Sequence, residues 1–156
     1  MAPARTRRII DEAGAAAVLD AAKQLAVANG NRVVMAVVDP WGELVAFRRT
    51  KDAQTASSRV ALDKARTAAI YRRPSKDFED QASHGRPSAL HLARAVPLQG
   101  GEPIIVGDHV IGAVGVSGAT SADEDRELAL IGAGSVSANG DGAAFVSAAD
   151  RREVDA

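Results

Sequence analysis

Two strand–turn–strand segments constrain this chain more than any other feature. Arg32–Val38 is rich in β-branched residues and passes through Asp39-Pro40-Trp41-Gly42 into Leu44–Arg48. Proline fixes one backbone dihedral of such a turn and glycine permits another. Strands joined so tightly pair as a hairpin, because a parallel crossover needs a much longer connection. Ile104–Val106 and His109–Val116 repeat the arrangement around Gly107-Asp108, and Ser117-Gly118 closes the second strand. Local pairing of both kinds predicts a largely antiparallel sheet.

The segments between and around the hairpins read as helices. From about Thr6 to Asn29, Ile10, Gly14, Ala17, Ala21, Leu25 and Ala28 recur at helical spacing, and Asn29-Gly30 provides a left-handed stop. From Thr55 to Tyr71, Ala56, Val60, Ala61, Ala65, Ala68 and Ala69 form a small-residue face, with Ser57, Ser58, Lys64 and Arg66 assigned to other parts of the helix. Arg73-Pro74-Ser75 ends it, with Ser75 expected to cap a short helix carrying Phe78 to about Ala82. His84-Gly85-Arg86-Pro87 breaks the pattern, and one helical turn is expected near Ala89–Leu92. Ser121 and Glu124 have capping-box spacing ahead of a last helix from Ala122 to Ser135. The order helix, hairpin, helices, hairpin, helix is an α+β arrangement, not a doubly wound nucleotide fold. One domain is expected over residues 1–137, followed by a mobile C-terminal tail over 138–156.

Composition narrows the function. Aromatic residues are 3% of the 156, so the core rests on Ala, Val, Ile and Leu, each burying little area. A shared interface helps such a core, which predicts a homo-oligomer. The net charge of −1 argues against nucleic acid, and the absence of cysteine removes thiol nucleophiles, thiolate metal sites and covalent haem attachment. Asp11, Glu12, Asp20 and Lys23 interrupt the apolar stretch after the N-terminal arginines. That favours a cytoplasmic chain with no membrane partner. The three histidines lack zinc-site spacing, so no metal site is expected. No phosphate loop, dinucleotide fingerprint or nucleophile elbow occurs. Gly112 and Gly115, inside a strand pattern, are read as sites of close packing.

Several motifs together resemble one family. Ala36-Val37-Val38-Asp39 followed by Gly42-Glu43-Leu44, then Lys64-Ala65-Arg66-Thr67-Ala68, Gly85-Arg86-Pro87, Pro97-Leu98-Gln99-Gly100-Gly101-Glu102-Pro103-Ile104, and Ile111 to Gly118 with acidic Asp123, Glu124 and Asp125, resemble the GlcG/HbpS-like proteins in unbroken order. The resemblance spans roughly residues 8 to 135. It implies a mostly antiparallel sheet of about five strands flanked by helices, a profilin-like α/β sandwich, and multi-subunit assemblies. It also implies haem as a possible cofactor, because members include haem-binding proteins. A related domain occurs in PduO-type cobalamin adenosyltransferases.

Several residues are candidates for chemistry. The amides of Gly100 and Gly101, with Glu102 in the same loop, can hold a carboxylate or simply form a tight turn into a strand. Arg86, between Gly85 and Pro87 in a stiffened loop, suits a carboxylate such as a haem propionate, or else a structural ion pair or a subunit contact. Lys64 can neutralise an anion or move a proton; a solvated helix charge is the alternative. His84 can ligate iron or act as a general base, or be a surface loop residue. His91 and His109 are weaker candidates, Asp39 is read as a turn former, and Met35 and Tyr71 as core residues. Two functions follow. One is binding of haem or a related anionic small ligand in a pocket near a subunit interface. The other is a cofactor-independent isomerase, hydratase or hydrolase acting on a small carboxylated intermediate, with His84 or Lys64 as catalytic groups. Both require the two glycine-bearing loops to meet in a positively charged recess.

Overall fold

A computed structural model describes residues 7–139 and 145–147. The order is β1 (Arg8–Ile10), α1 (Glu12–Ala28), β2 (Val34–Val38), β3 (Leu44–Arg49), α2 (Ser57–Tyr71), α3 (Lys76–Ser83), a 3-10 turn (Pro87–His91), β4 (Gly101–Val106), β5 (His109–Ser117), α4 (Ala122–Asn139) and β6 (Phe145–Ser147). The expected hairpins are β2–β3 and β4–β5, both antiparallel. They join through an antiparallel β2–β5 pairing, giving a four-stranded sheet ordered β3-β2-β5-β4. A separate antiparallel ribbon pairs β1 with β6. The α+β architecture expected from the sequence, an antiparallel sheet flanked by helices, is the one observed.

The pleat divides the sheet residues between two layers. Met35 and Val37 of β2, Ile104 of β4, and Val114 and Val116 of β5 join Val18, Leu19, Ala22 and Leu128 of α1 and α4 in one apolar cluster. Each such buried Val, Leu, Ile or Met contributes roughly 1.5–3 kcal/mol. On the other face, Val34, Ala36, Val38 and Ala113 meet Ala61, Ala65, Ala68 and Ala69 of α2. The small residues of α2 let its backbone lie almost on the sheet. A Cβ on Gly115 would collide with the Ala61 carbonyl, and one on Gly101 with the Lys64 carbonyl. These two glycines are opposite each other in the β4–β5 register, and Gly115 is opposite Ala36 on β2. The three form a seam without bulk beneath the helix.

Four local expectations need correction. The first helix begins at Glu12, not near Thr6: Asp11 caps it by accepting from Gly14 N at 2.8 Å, while Arg8–Ile10 is diverted into the ribbon. Ser75 occupies the N-cap position of α3 as expected, but its side chain makes no capping bond: its Oγ donates to Leu98 O at 2.6 Å and accepts from Gly101 N at 2.9 Å. Ser57 and Lys64, assigned to other parts of the second helix, are on its buried face with Ala61, Ala65 and Ala68. The last helix continues past Ser135 to Asn139. Its capping box forms at one bond, Glu124 N to Ser121 Oγ at 3.2 Å, while the Glu124 carboxylate accepts from Thr120 N. Most of the expected C-terminal tail lies outside the described residues, and Phe145–Ser147 within it is β6. Among the described residues no helix is long and apolar enough to cross a membrane.

Candidate functional site

The sequence candidates fall into two groups that the fold separates. The first surrounds Lys64. Its side chain is inside the protein, 3% exposed, and Nζ donates to Asp125 Oδ2 at 2.9 Å and to Val116 O at 3.0 Å. The other Asp125 oxygen accepts from Ala119 N at 2.9 Å. The ion pair thus ties α2, β5 and the start of α4 together. Gly100 makes room for it: a Cβ there would lie 2.8 Å from Val116 O and 2.9 Å from Lys64 Nζ, and its φ of +116° suits glycine.

Gly101 and Glu102 belong to the same interior. The Gly101 amide is taken by Ser75 Oγ and its carbonyl accepts from Ser75 N at 2.9 Å. Glu102, 3% exposed, accepts from Arg126 Nε at 3.1 Å. Burial holds the Glu102 carboxyl above the ordinary glutamate range of about 4.5, and the Arg126 guanidinium only partly offsets it.

The second group is on the surface at the far end of α3. His84 terminates the helix, and residues 83–88 are all exposed. The His84 Nδ1 is 2.8 Å from Asp80 O. A carbonyl only accepts, so Nδ1 carries the proton and Nε2 is left as the basic nitrogen. Gly85 turns the chain at φ +97° with nothing near its missing side chain, and Arg86 NH1 donates to Gln81 Oε1 at 3.0 Å. Ser75, at the start of α3, bonds Gly101, whereas His84 ends the helix. One helix length, roughly 12 Å at 1.5 Å per residue, therefore separates the two loops.

The remaining candidates have local roles. Asp39 Oδ1 accepts from Trp41 N at 2.8 Å and Glu43 N at 3.1 Å, as a turn former does. Met35 is fully buried. Tyr71 packs edge-on against Phe78 with ring centroids 4.9 Å apart. His91 is exposed at the end of the 3-10 turn, and His109 lies 3.2 Å from Asp108 on the hairpin tip.

Residues 10–133 match the family described as "Haem degrading protein HbpS-like". The chain belongs to that family. Protein GlcG of Escherichia coli K12 is 36% identical over 113 residues, covering 72% of this chain and 84% of GlcG. Among solved structures, the HbpS-like fold is shared by Klebsiella pneumoniae ORFY, at 28% identity, TM-score 0.76, and coverage of 88% of this chain and 95% of that one. Streptomyces reticuli HbpS, solved as a double mutant, gives 26% identity, TM-score 0.76, and coverage of 86% and 89%.

One feature of this HbpS-like chain was not singled out from its sequence. Arg59, Asp63 and Arg66 of α2 line a recess of about 360 Å³ with Arg94, Ala95 and Val96. The spacing of Arg59, Asp63 and Arg66 places them on one helical face and was a legible signal. Nothing in the sequence announces that Arg94 lines the same recess.

Proposed function

We propose that this protein binds haem or a related anionic small ligand at the surface formed by His84, Gly85 and Arg86, in a pocket completed by a second subunit. The observation that carries this reading is the state of His84: an exposed imidazole whose Nδ1 is held by the Asp80 carbonyl at 2.8 Å, with Nε2 free to coordinate. Iron-ligating histidines are oriented by this kind of second contact. Arg86, anchored to Gln81, supplies a guanidinium that suits a propionate. The donor set therefore fits the group named in the family description: His84 would hold the iron and Arg86 would bind a carboxylate. Haem, when bound, supplies the iron at which oxygen or electron chemistry takes place; the chain's own residues orient it. The exposure of every residue from 83 to 88 supports a neighbouring subunit as the missing wall.

The alternative, a cofactor-independent enzyme for small acids, assigned proton transfer to His84 or Lys64. Lys64 is committed to Asp125 and Val116 inside the fold, which leaves that reading with His84 alone.

Hemin titration followed through the Soret band tests the proposal. The band is expected to move from its free-hemin position, to change again in His84→Ala, and to saturate at higher hemin in Arg86→Gln. A spectrum equal to that of free hemin, or one indifferent to His84→Ala, overturns it.

A further inference from the structure

We propose that the recess between α2 and the segment after the 3-10 turn is a second ligand site, in which Arg59, Arg66 and Arg94 bind a compact molecule bearing two negative charges on oxyanion groups. Three guanidinium groups line it against one carboxylate, Asp63. Asp63 is matched by Arg59, whose Nε donates to both carboxylate oxygens at 3.1 Å. Arg66 is half-buried, its side chain 26% exposed, and its Nε is fixed by donation to Gly42 O at 3.0 Å. Its terminal nitrogen reaches only 3.9 Å from Asp63. Arg94 has no hydrogen bond or ion pair among the described residues. Asp63 is thus shared by Arg59 and Arg66 while Arg94 has no counter-charge, so the lining carries an excess of positive charge, and like charges held together favour an anion between them.

The wall carrying Arg94 is preformed. Tyr71 OH donates to Ala93 O at 2.7 Å on one side of it, and Val96 N donates to Thr67 Oγ1 at 2.9 Å on the other. Between these two pins Arg94 adopts φ +57°, a left-handed conformation that a residue with a Cβ disfavours. The chain accepts that conformation at a position whose side chain lines the recess. Ala95 and Val96 add a short apolar surface, and a volume of about 360 Å³ admits a small molecule and no more. The chemistry that fits is two oxyanion groups on a short carbon frame, or one doubly charged phosphate. Guanidinium forks recognise both by paired donors. No lining residue is shared with the His84–Arg86 surface, so the two proposals stand or fall separately.

Isothermal titration with inorganic phosphate and, separately, malonate, each against a sodium chloride blank of equal ionic strength, tests the site. Saturable one-site binding of at least one probe is expected. Phosphate alone would assign a phosphate ester, malonate alone a dicarboxylate, and both a general dianion site. Arg94→Gln should weaken binding about tenfold or more, the scale of one charge-assisted contact. Arg94→Gly should do the same while keeping the left-handed backbone that glycine tolerates, which separates loss of charge from loss of fold. Asp63→Asn should bind more tightly, and Arg86→Gln should bind as the parent does. Heats equal to the blank, Arg94 variants that bind normally, weaker binding in Asp63→Asn, or loss of binding in Arg86→Gln overturns the proposal.

Discussion

The seam under α2 and the arm from residue 83 to 94 use the same residue types for opposite ends. In the seam, Gly101 and Gly115 have no Cβ because the backbone of α2 occupies the space, and Lys64 is buried against Asp125. In the arm, Gly85 has nothing within 4 Å of its missing side chain, and Arg86 is exposed with Gln81 as its partner. A glycine or a cation in this sequence therefore acquires its meaning from its layer. Interior ones hold helices to the sheet; exterior ones are free to meet a ligand or another subunit.

The largest effect that would break this contrast is on the ion pair. Lys64→Met leaves Asp125 charged and buried, and should cost roughly 3–5 kcal/mol in chemical denaturation. Adding Asp125→Asn should restore part of the loss, since the orphaned charge is removed while an acceptor for Ala119 N remains. Arg86→Gln in the arm should stay within about 0.5 kcal/mol of the parent. If the two cations proved equally costly to remove, the distinction between layers would be lost.

Glycine substitutions sharpen it. Gly115→Ala must push α2 off the sheet and should destabilise by roughly 3 kcal/mol. Gly85→Ala meets open space and only the penalty of its positive φ, roughly 1–2 kcal/mol. Denaturant midpoints of both variants, read beside the parent, check the difference.

The smallest effect concerns Glu102, beside the seam. Burial raises its folded pKa above the ordinary 4.5. In the window from that value up to the raised one, the folded state holds a proton the unfolded state has released, so stability falls as pH rises. Glu102→Gln should flatten that part of the pH–stability curve, leaving Arg126 to solvent on its exposed side. A slope unchanged by the substitution would assign the pH dependence elsewhere.

Hairpins, helices and their order were legible because they depend on neighbours in the chain: turn residues at Asp39–Gly42 and Gly107-Asp108, and apolar spacing between them. Lys64 shows where such reading stops. Its spacing from Ala61 and Ala68 is compatible with the buried face, but its charge led to its assignment elsewhere on the helix, because a charge is expected in water until its partner is known. That partner, Asp125, is 61 residues away. Gly100 and Gly101 show the same gap. Their freedom of conformation is visible in the sequence, but whether it serves a ligand or a close-packed helix depends on what stands opposite.

By itself, then, the sequence determined the α+β class, the antiparallel pairing within each hairpin and the family. Only the tertiary structure decided which glycines lie under α2, which lysine is paired inside, and that Arg94 lines one recess with Arg59 and Arg66. The reason is physical. Turns and helices are set by dihedral preferences and spacing within a few residues, whereas burial and charge pairing are set by groups that the chain brings together from far apart.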